Sequence, residues 1–267
     1  MQKIGFIGVG NMGGALASAV CKTVSPETVY LADTFPEKMR AVSEETGATV
    51  SDTLTVAATC DYIFLGVKPQ MLSALFEEIG EALSENPNAT LISMAAGIPL
   101  SRVETLSGGN HPLIRIMPNT PVAVGEGMIV YTPNTRVTAE QTAFFKTMLS
   151  KAGILLEIPE DHMDAACAVS GCGPAFVYMF IDALTRGGME SGLPKDCAQR
   201  LAIQTLLGAA HLAQQSEKQP EELKQAVCSP AGSTIEGVHT LEDADFYRIV
   251  ENAVKASYKR AKELSEA

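Results

Sequence analysis

The sequence predicts an α/β chain: a doubly wound, mostly parallel sheet over residues 1–159, then an all-helical domain over residues 160–267. Three observations lead there. Short runs rich in β-branched residues alternate with helical patterns through the first stretch, the rhythm of strand–helix–strand units. A glycine-rich turn joins the first run to the first helical pattern. Beyond Pro159 no strand pattern recurs, and helical segments follow one another through short connectors carrying Gly and Pro.

Taken in order, strands are expected at residues 4–9, 29–32, 62–67, 90–94, 113–117, 128–131 and 154–158. Helices are expected between them at 13–22, 36–46, 70–83, 100–106 and 138–151. The second domain reads as helices at 161–168, 174–191, 195–216, 221–227 and 234–265. Apolar residues make up 46% of the 267, enough for a core and too many for a disordered chain. The uncharged run 165–181 is too short for a membrane span and is interrupted by Gly171, Gly173 and Pro174, so a buried helix is expected there.

Acidic residues number 31 against 20 basic ones, a net charge of −11. Such a field repels duplexes and anionic bilayers, so neither nucleic acid nor a membrane is an expected partner. The six cysteines (Cys21, Cys60, Cys167, Cys172, Cys197 and Cys228) form no CxxC pair and do not cluster with the four histidines at zinc-ligand spacing. No metal site is expected. The chain runs straight into a strand pattern without a signal peptide, so the cysteines read as reduced and the compartment as the cytoplasm. His111, His162, His211 and His239 lack a spaced carboxylate or metal partner and read as packing or surface residues.

Gly8-Val9-Gly10-Asn11-Met12-Gly13 matches GxGxxG between a strand and a helix, the context of a Rossmann-type dinucleotide turn. Gly8 suits the tight turn, Gly10 the approach of a pyrophosphate, and Gly13 close helix–strand packing. Asp33 follows about 20 residues later, at the end of the second strand pattern, where an acid bonds the ribose hydroxyls and favours NADH. Thr34, Lys38 and Arg40 pull the other way, toward a 2′-phosphate, and Asp33 also suits a helix cap. Val67, Lys68 and Pro69 end one strand pattern, and Ala95, Ala96 and Gly97 end the next. Small residues at 95–97 would admit a nicotinamide ring; Lys68 reads equally as a phosphate ligand or a surface lysine.

Two segments past the boundary carry further chemistry. Ser170-Gly171-Cys172-Gly173-Pro174-Ala175 reads as a glycine loop with Pro opening a helix. Ser229-Pro230-Ala231-Gly232-Ser233-Thr234-Ile235 reads as another helix-opening loop, either a cradle for a small carboxylate or a plain Ser/Thr cap.

With these segments in hand, the chain resembles the pyrroline-5-carboxylate reductase family over nearly its whole length. The resemblance rests on residues 8–13, 64–70, 93–97, 115–121, 170–175 and 229–235 in that order. It implies reduction of 1-pyrroline-5-carboxylate to L-proline with NADPH or NADH, the last step of proline biosynthesis. It implies a helical dimerisation domain, with dimers assembling further, commonly as decamers of five dimers. Thr234 would hydrogen-bond the ring nitrogen, and the amides of Ser233 and Thr234, in the loop holding Ser229 and Gly232, would bind the substrate carboxylate. Glu217 would lie near the substrate nitrogen, and Met117, Pro118 and Asn119 would line the nicotinamide junction. The family usually has serine at Cys172, a second glycine at Ala231, and threonine or alanine at Ser233.

Rival readings are separable. A 3-hydroxyacid-type dehydrogenase would need a lysine early in the interdomain helix, and residues 173–184 have none. A reductase of another cyclic imine would differ in turnover across a panel of imines. A non-catalytic nucleotide sensor would bind NAD(P)H without consuming it.

Overall fold

The computed structural model describes residues 1–265. The apolar runs become strands because each can bury both faces: β1 (Ile4–Ile7), β2 (Val29–Ala32), β4 (Tyr62–Leu65), β5 (Thr90–Ser93) and β6 (Leu113–Pro118) are buried almost throughout. A short β3 (Thr49–Val50), β7 (Gly127–Pro133) and β8 (Gly153–Glu157) complete one sheet in the order β3-β2-β1-β4-β5-β6-β7-β8. All neighbours are parallel except β6 and β7. Along β4 the side chains alternate between two cores: Tyr62 and Phe64 enter one, Ile63 and Leu65 the other. Phe6 of β1 stacks on Phe64 at 4.3 Å across the first core. Each such fully buried side chain contributes roughly 1.5–3 kcal/mol relative to exposure.

Helices α1 (Asn11–Val20), α2 (Pro36–Thr46), α3 (Thr53–Thr59), α4 (Leu72–Ser84), α5 (Leu100–Leu106) and α6 (Ala139–Met148) cover the two faces. The strands after β1 run outward to β3, then resume at β4 on the other side of β1, which sets a topological switch point beside β1. Beyond the sheet come α7 (Met163–Ala166), α8 (Gly173–Glu190), α9 (Lys195–Gln215), α10 (Pro220–Ala226), α11 (Ser233–Asp243) and α12 (Phe246–Ser265). The described residues pack as two compact units, one of residues 1–172 with 257–265, the other Gly173–Ala256. These compact units divide after Cys172, and the end of α12 belongs to the first.

Several sequence expectations are corrected. Neither β3 nor α3 was expected: β3 is two exposed residues, and α3 is β-branched, its one signal being Asp52, whose carboxylate accepts from Thr55 N at 2.8 Å. The first helix opens at Asn11, not Gly13. Residues 170–175 are no loop: Cys167–Gly171 forms a π turn, closed by Cys172 N donating to Cys167 O at 2.9 Å, that runs on into α8. The expected helix 234–265 is two helices, parted where Asp245 takes a φ of 61°. The helix read as buried over 165–181 is exposed along most of α8, including Val177, Tyr178 and Met179. Residues 160–190 are long and apolar enough, by length and composition, to cross a membrane.

His111, ahead of β6, is 4% exposed and donates from Nδ1 to Ala89 O at 3.3 Å. Burial pushes its pKa below the ordinary 6.5, against a smaller upward pull from that hydrogen bond. The unfolded chain therefore takes up a proton first, and stability falls as pH drops from about 6.5 toward the folded value, by at most about 1.4 kcal/mol per pH unit. Urea unfolding of His111→Asn between pH 7.5 and 5 should show a shallower pH slope than the parent.

Candidate active site

The glycine turn is built by backbone crowding at two of its three glycines. Gly8 has φ 96°, and a Cβ there would meet the Gly66 carbonyl carbon at 2.6 Å. A Cβ on Gly13 would run into Gly8 O, as would one on Gly66. These three glycines let β1, α1 and the end of β4 close on one another. Gly66 was not singled out from sequence, although it follows an apolar run as Gly8 does.

Gly10 is different. Its φ of −66° and ψ of −166° suit any residue, and a Cβ there would have nothing within 4 Å. Neither conformation nor packing within the chain calls for glycine. Gly10 also caps α1 with no side-chain hydrogen bond, so the helix presents free N–H groups at Asn11, Met12 and Gly13 to that open space. Open space over a glycine, facing a helix N-terminus, is the cradle a pyrophosphate needs.

The space continues into a groove of about 410 Å³ lined by Gly8, Gly10, Asp33, Thr34, Val67 and Lys68, among others. Phe35, Lys38, Thr53, Gln70, Met71 and Ala74 also line it. Asp33 stands at its wall, one carboxylate oxygen accepting from Val9 N at 2.7 Å and the other from Phe35 N at 2.9 Å. Met12 packs against the core and Val9 is buried within it. Pro69 opens a single helical turn ahead of α4.

The other expected cofactor residues sit on the same sheet edge, at the carboxyl ends of β5 and β6, but outside that groove. Ala95 is buried in the second core and Ala96 is exposed. Gly97, at φ 75°, lies where a Cβ would meet the backbone of Leu264 at 3.1 Å, so its small size also serves the close approach of the last turn of α12. Met117 is buried with Val130 and Met163, and Pro118 ends β6. Asn119 is a structural tie: its Nδ2 donates to Ser170 O at 2.9 Å and its Oδ1 accepts from Met128 N at 2.8 Å. Sequence reading missed Arg115, which is buried and pairs with Glu160 at 3.0 Å and Asp164 at 3.5 Å. Glu160 also accepts from Leu100 N, at 2.7 Å, and Asp164 from the Ser265 hydroxyl, at 2.9 Å. This cluster, with Arg115 buried and its two carboxylates half-buried, ties the turn 95–99 and the end of α12 to the sheet.

In the second unit, residues 229–232 make a turn closed by Gly232 N donating to Ser229 O at 3.0 Å. A Cβ on Gly232 would lie 2.5 Å from Ser229 Oγ and 3.1 Å from Ser229 O, so a larger residue there would have to displace the Ser229 hydroxyl. Gly232 caps α11 with no side-chain bond, which leaves the amides of Ser233 and Thr234 free at the helix start. Thr234 is exposed and its hydroxyl has no partner among the described residues. Glu217, between α9 and α10, is exposed and likewise unpaired among the described residues.

Ala231 takes φ 56°, the left-handed region that favours glycine. The departure noted in the sequence is therefore a strained position. Ala231→Gly should raise stability by roughly 1 kcal/mol, net of the added freedom of the unfolded chain, read as a higher denaturation midpoint.

A doubly wound sheet with a glycine turn opening a groove at its switch point, followed by a helical unit, defines a dinucleotide-dependent oxidoreductase. Comparison with known proteins narrows the class. Residues 160–264 match the model described as pyrroline-5-carboxylate reductase dimerisation, and residues 3–97 match one described as NADP oxidoreductase, coenzyme F420-dependent. The chain is 39% identical to pyrroline-5-carboxylate reductase of Arabidopsis thaliana, over 99% of this chain and 96% of that one. It superposes on the Coxiella burnetii pyrroline-5-carboxylate reductase with TM-score 0.91 at 30% identity, covering 100% of this chain and 99% of that one. For the Plasmodium falciparum pyrroline carboxylate reductase, solved with NADP bound, the figures are 0.88, 32%, 99% and 98%. The chain belongs to the pyrroline-5-carboxylate reductase family.

Proposed function

We propose that this chain reduces the C=N bond of 1-pyrroline-5-carboxylate to give L-proline, with NADPH or NADH, as the last step of proline biosynthesis. The observation that carries the reading is Gly10, a glycine that nothing in the chain requires and that faces a helix N-terminus and an open groove. Relatives named for this activity, alike over their full length, supply the substrate.

When bound, the nicotinamide supplies the hydride, and the protein supplies orientation and electrostatics. The amides of Asn11, Met12 and Gly13 hold the diphosphate at the start of α1, with Val67, Lys68 and Pro69 beside the groove. Ala95, Ala96, Gly97, Met117, Pro118 and Asn119 form the nicotinamide side. The free amides of Ser233 and Thr234, in the turn held by Ser229 and Gly232, bind the substrate carboxylate. The Thr234 hydroxyl bonds the ring nitrogen, donating to a neutral imine or accepting from an iminium, and Glu217 faces that nitrogen. A net charge of −11 leaves anions to be held by helix N-termini rather than by a basic surface.

Two copies pair through the helical unit. The exposed apolar side chains of α8 and α9, such as Val177, Tyr178 and Leu207, line a groove of about 770 Å³ in the single chain, and pairing covers them. Five such dimers form a decamer, to be sized by light scattering. The six cysteines are free thiols, the form a reducing cytoplasm maintains. The test of the activity is nicotinamide absorbance with 1-pyrroline-5-carboxylate, beside cyclic imines lacking the carboxylate. Turnover should be confined to imines that carry it.

A further inference from the structure

We infer that Asp33 makes this chain selective for NADH over NADPH. The inference rests on the dinucleotide reading and deepens it.

Both oxygens of the carboxylate are held by backbone: Oδ2 accepts from Val9 N at 2.7 Å, and Oδ1 from Phe35 N at 2.9 Å. Val9 belongs to the glycine turn itself, whose Gly8 N donates to Ala32 O at 2.8 Å. Asp33 N, in turn, lies 3.1 Å from Met39 Sδ of α2. The side chain is thus fixed at the groove wall and cannot swing away without orphaning two N–H donors, a loss that a ligand would have to offset.

Each oxygen uses one acceptor site for these bonds and keeps another. Those remaining sites match the two hydroxyls of an adenosine ribose. A 2′-phosphate brings close to two negative charges and no donor to the same place. Two lysines line the groove, Lys38 and Lys68, and Arg40 is exposed outside its lining; the Lys38 Nζ sits 4.3 Å from the Phe35 ring centroid, drawn to the ring face. Lys38 and Lys68 are matched in the lining by the carboxylates of Asp33 and Glu78, which leaves no net positive charge for the phosphate. Thr34 offers a hydroxyl only.

The experiment is a titration of the full-length protein, without substrate, by NADH and by NADPH, followed by nicotinamide fluorescence. NADH should bind about 10- to 100-fold tighter, the size of one or two charge-assisted hydrogen bonds. Asp33→Asn, which keeps the shape and one acceptor, should bring the two Kd values within about threefold of each other, chiefly by tightening NADPH. Thermal unfolding of the variant confirms that it is folded. Equal affinities in the parent, tighter binding of NADPH, or an unchanged ratio in Asp33→Asn overturns the inference while leaving the dinucleotide site standing. Failure of both nucleotides to bind the folded parent overturns the dinucleotide reading, and the inference with it.

Discussion

Replacing Gly10 with valine should weaken NAD(P)H binding by at least about 100-fold while the protein stays folded. The dihedrals at Gly10 are open to any residue, and its vacant Cβ position has nothing within 4 Å. The cost to the fold is that of a poorer helix cap, about 1 kcal/mol. The isopropyl group would occupy the space over the free amides of α1, where a pyrophosphate must approach the backbone. Valine at Gly8 or Gly13 should behave otherwise. Those positions abut the backbone of Gly66 and Gly8, so the variants should fail to fold before binding can be measured. Calorimetric titration beside thermal unfolding separates the outcomes. A folded Gly10→Val protein with parental affinity would place the nucleotide elsewhere.

Thr234→Ala should lose roughly 10–1000-fold in kcat/KM for the imine, the usual worth of one positioned donor. Nucleotide affinity and stability should stay close to the parent's. Thr234 is exposed in the first turn of α11, where it caps nothing and its hydroxyl bonds no described residue, and alanine is a better helix former. The role lies with the hydroxyl, so Thr234→Ser should recover most of the activity and Thr234→Val should not. Steady-state kinetics on the three variants decides it. Parental turnover in Thr234→Ala removes the residue from the reaction.

The parts of the molecule that were legible in sequence are those with local causes. The strand–turn–helix around Gly8–Gly13 has its own punctuation, and 36–46 and 100–106 became helices with those ends because proline stands at their N-terminal boundaries. Less legible was anything set by distant backbone. Gly66 is glycine because Gly8 lies against it, and the tie that the Asn119 amide makes between Met128 N and Ser170 O does not show in the letter. The π turn at Cys167–Gly171 leaves no mark in a helical pattern, since it adds one residue without changing which residues are apolar. The αL break at Asp245 escaped notice because no glycine announces it; aspartate tolerates that region. The apolar run in α8 reads alike whether its own chain or a second copy covers it, hence the wrong expectation of burial within one chain. Asp33 was ambiguous as a letter. Its two backbone bonds give it a fixed orientation, which the sequence could not.

The most direct test of the account is the nicotinamide absorbance of purified protein mixed with NADH or NADPH and 1-pyrroline-5-carboxylate. The account requires absorbance to fall only when both partners are present, with one L-proline formed for each nicotinamide oxidised. A folded protein that binds the nucleotide and leaves it reduced in the presence of the imine would contradict it.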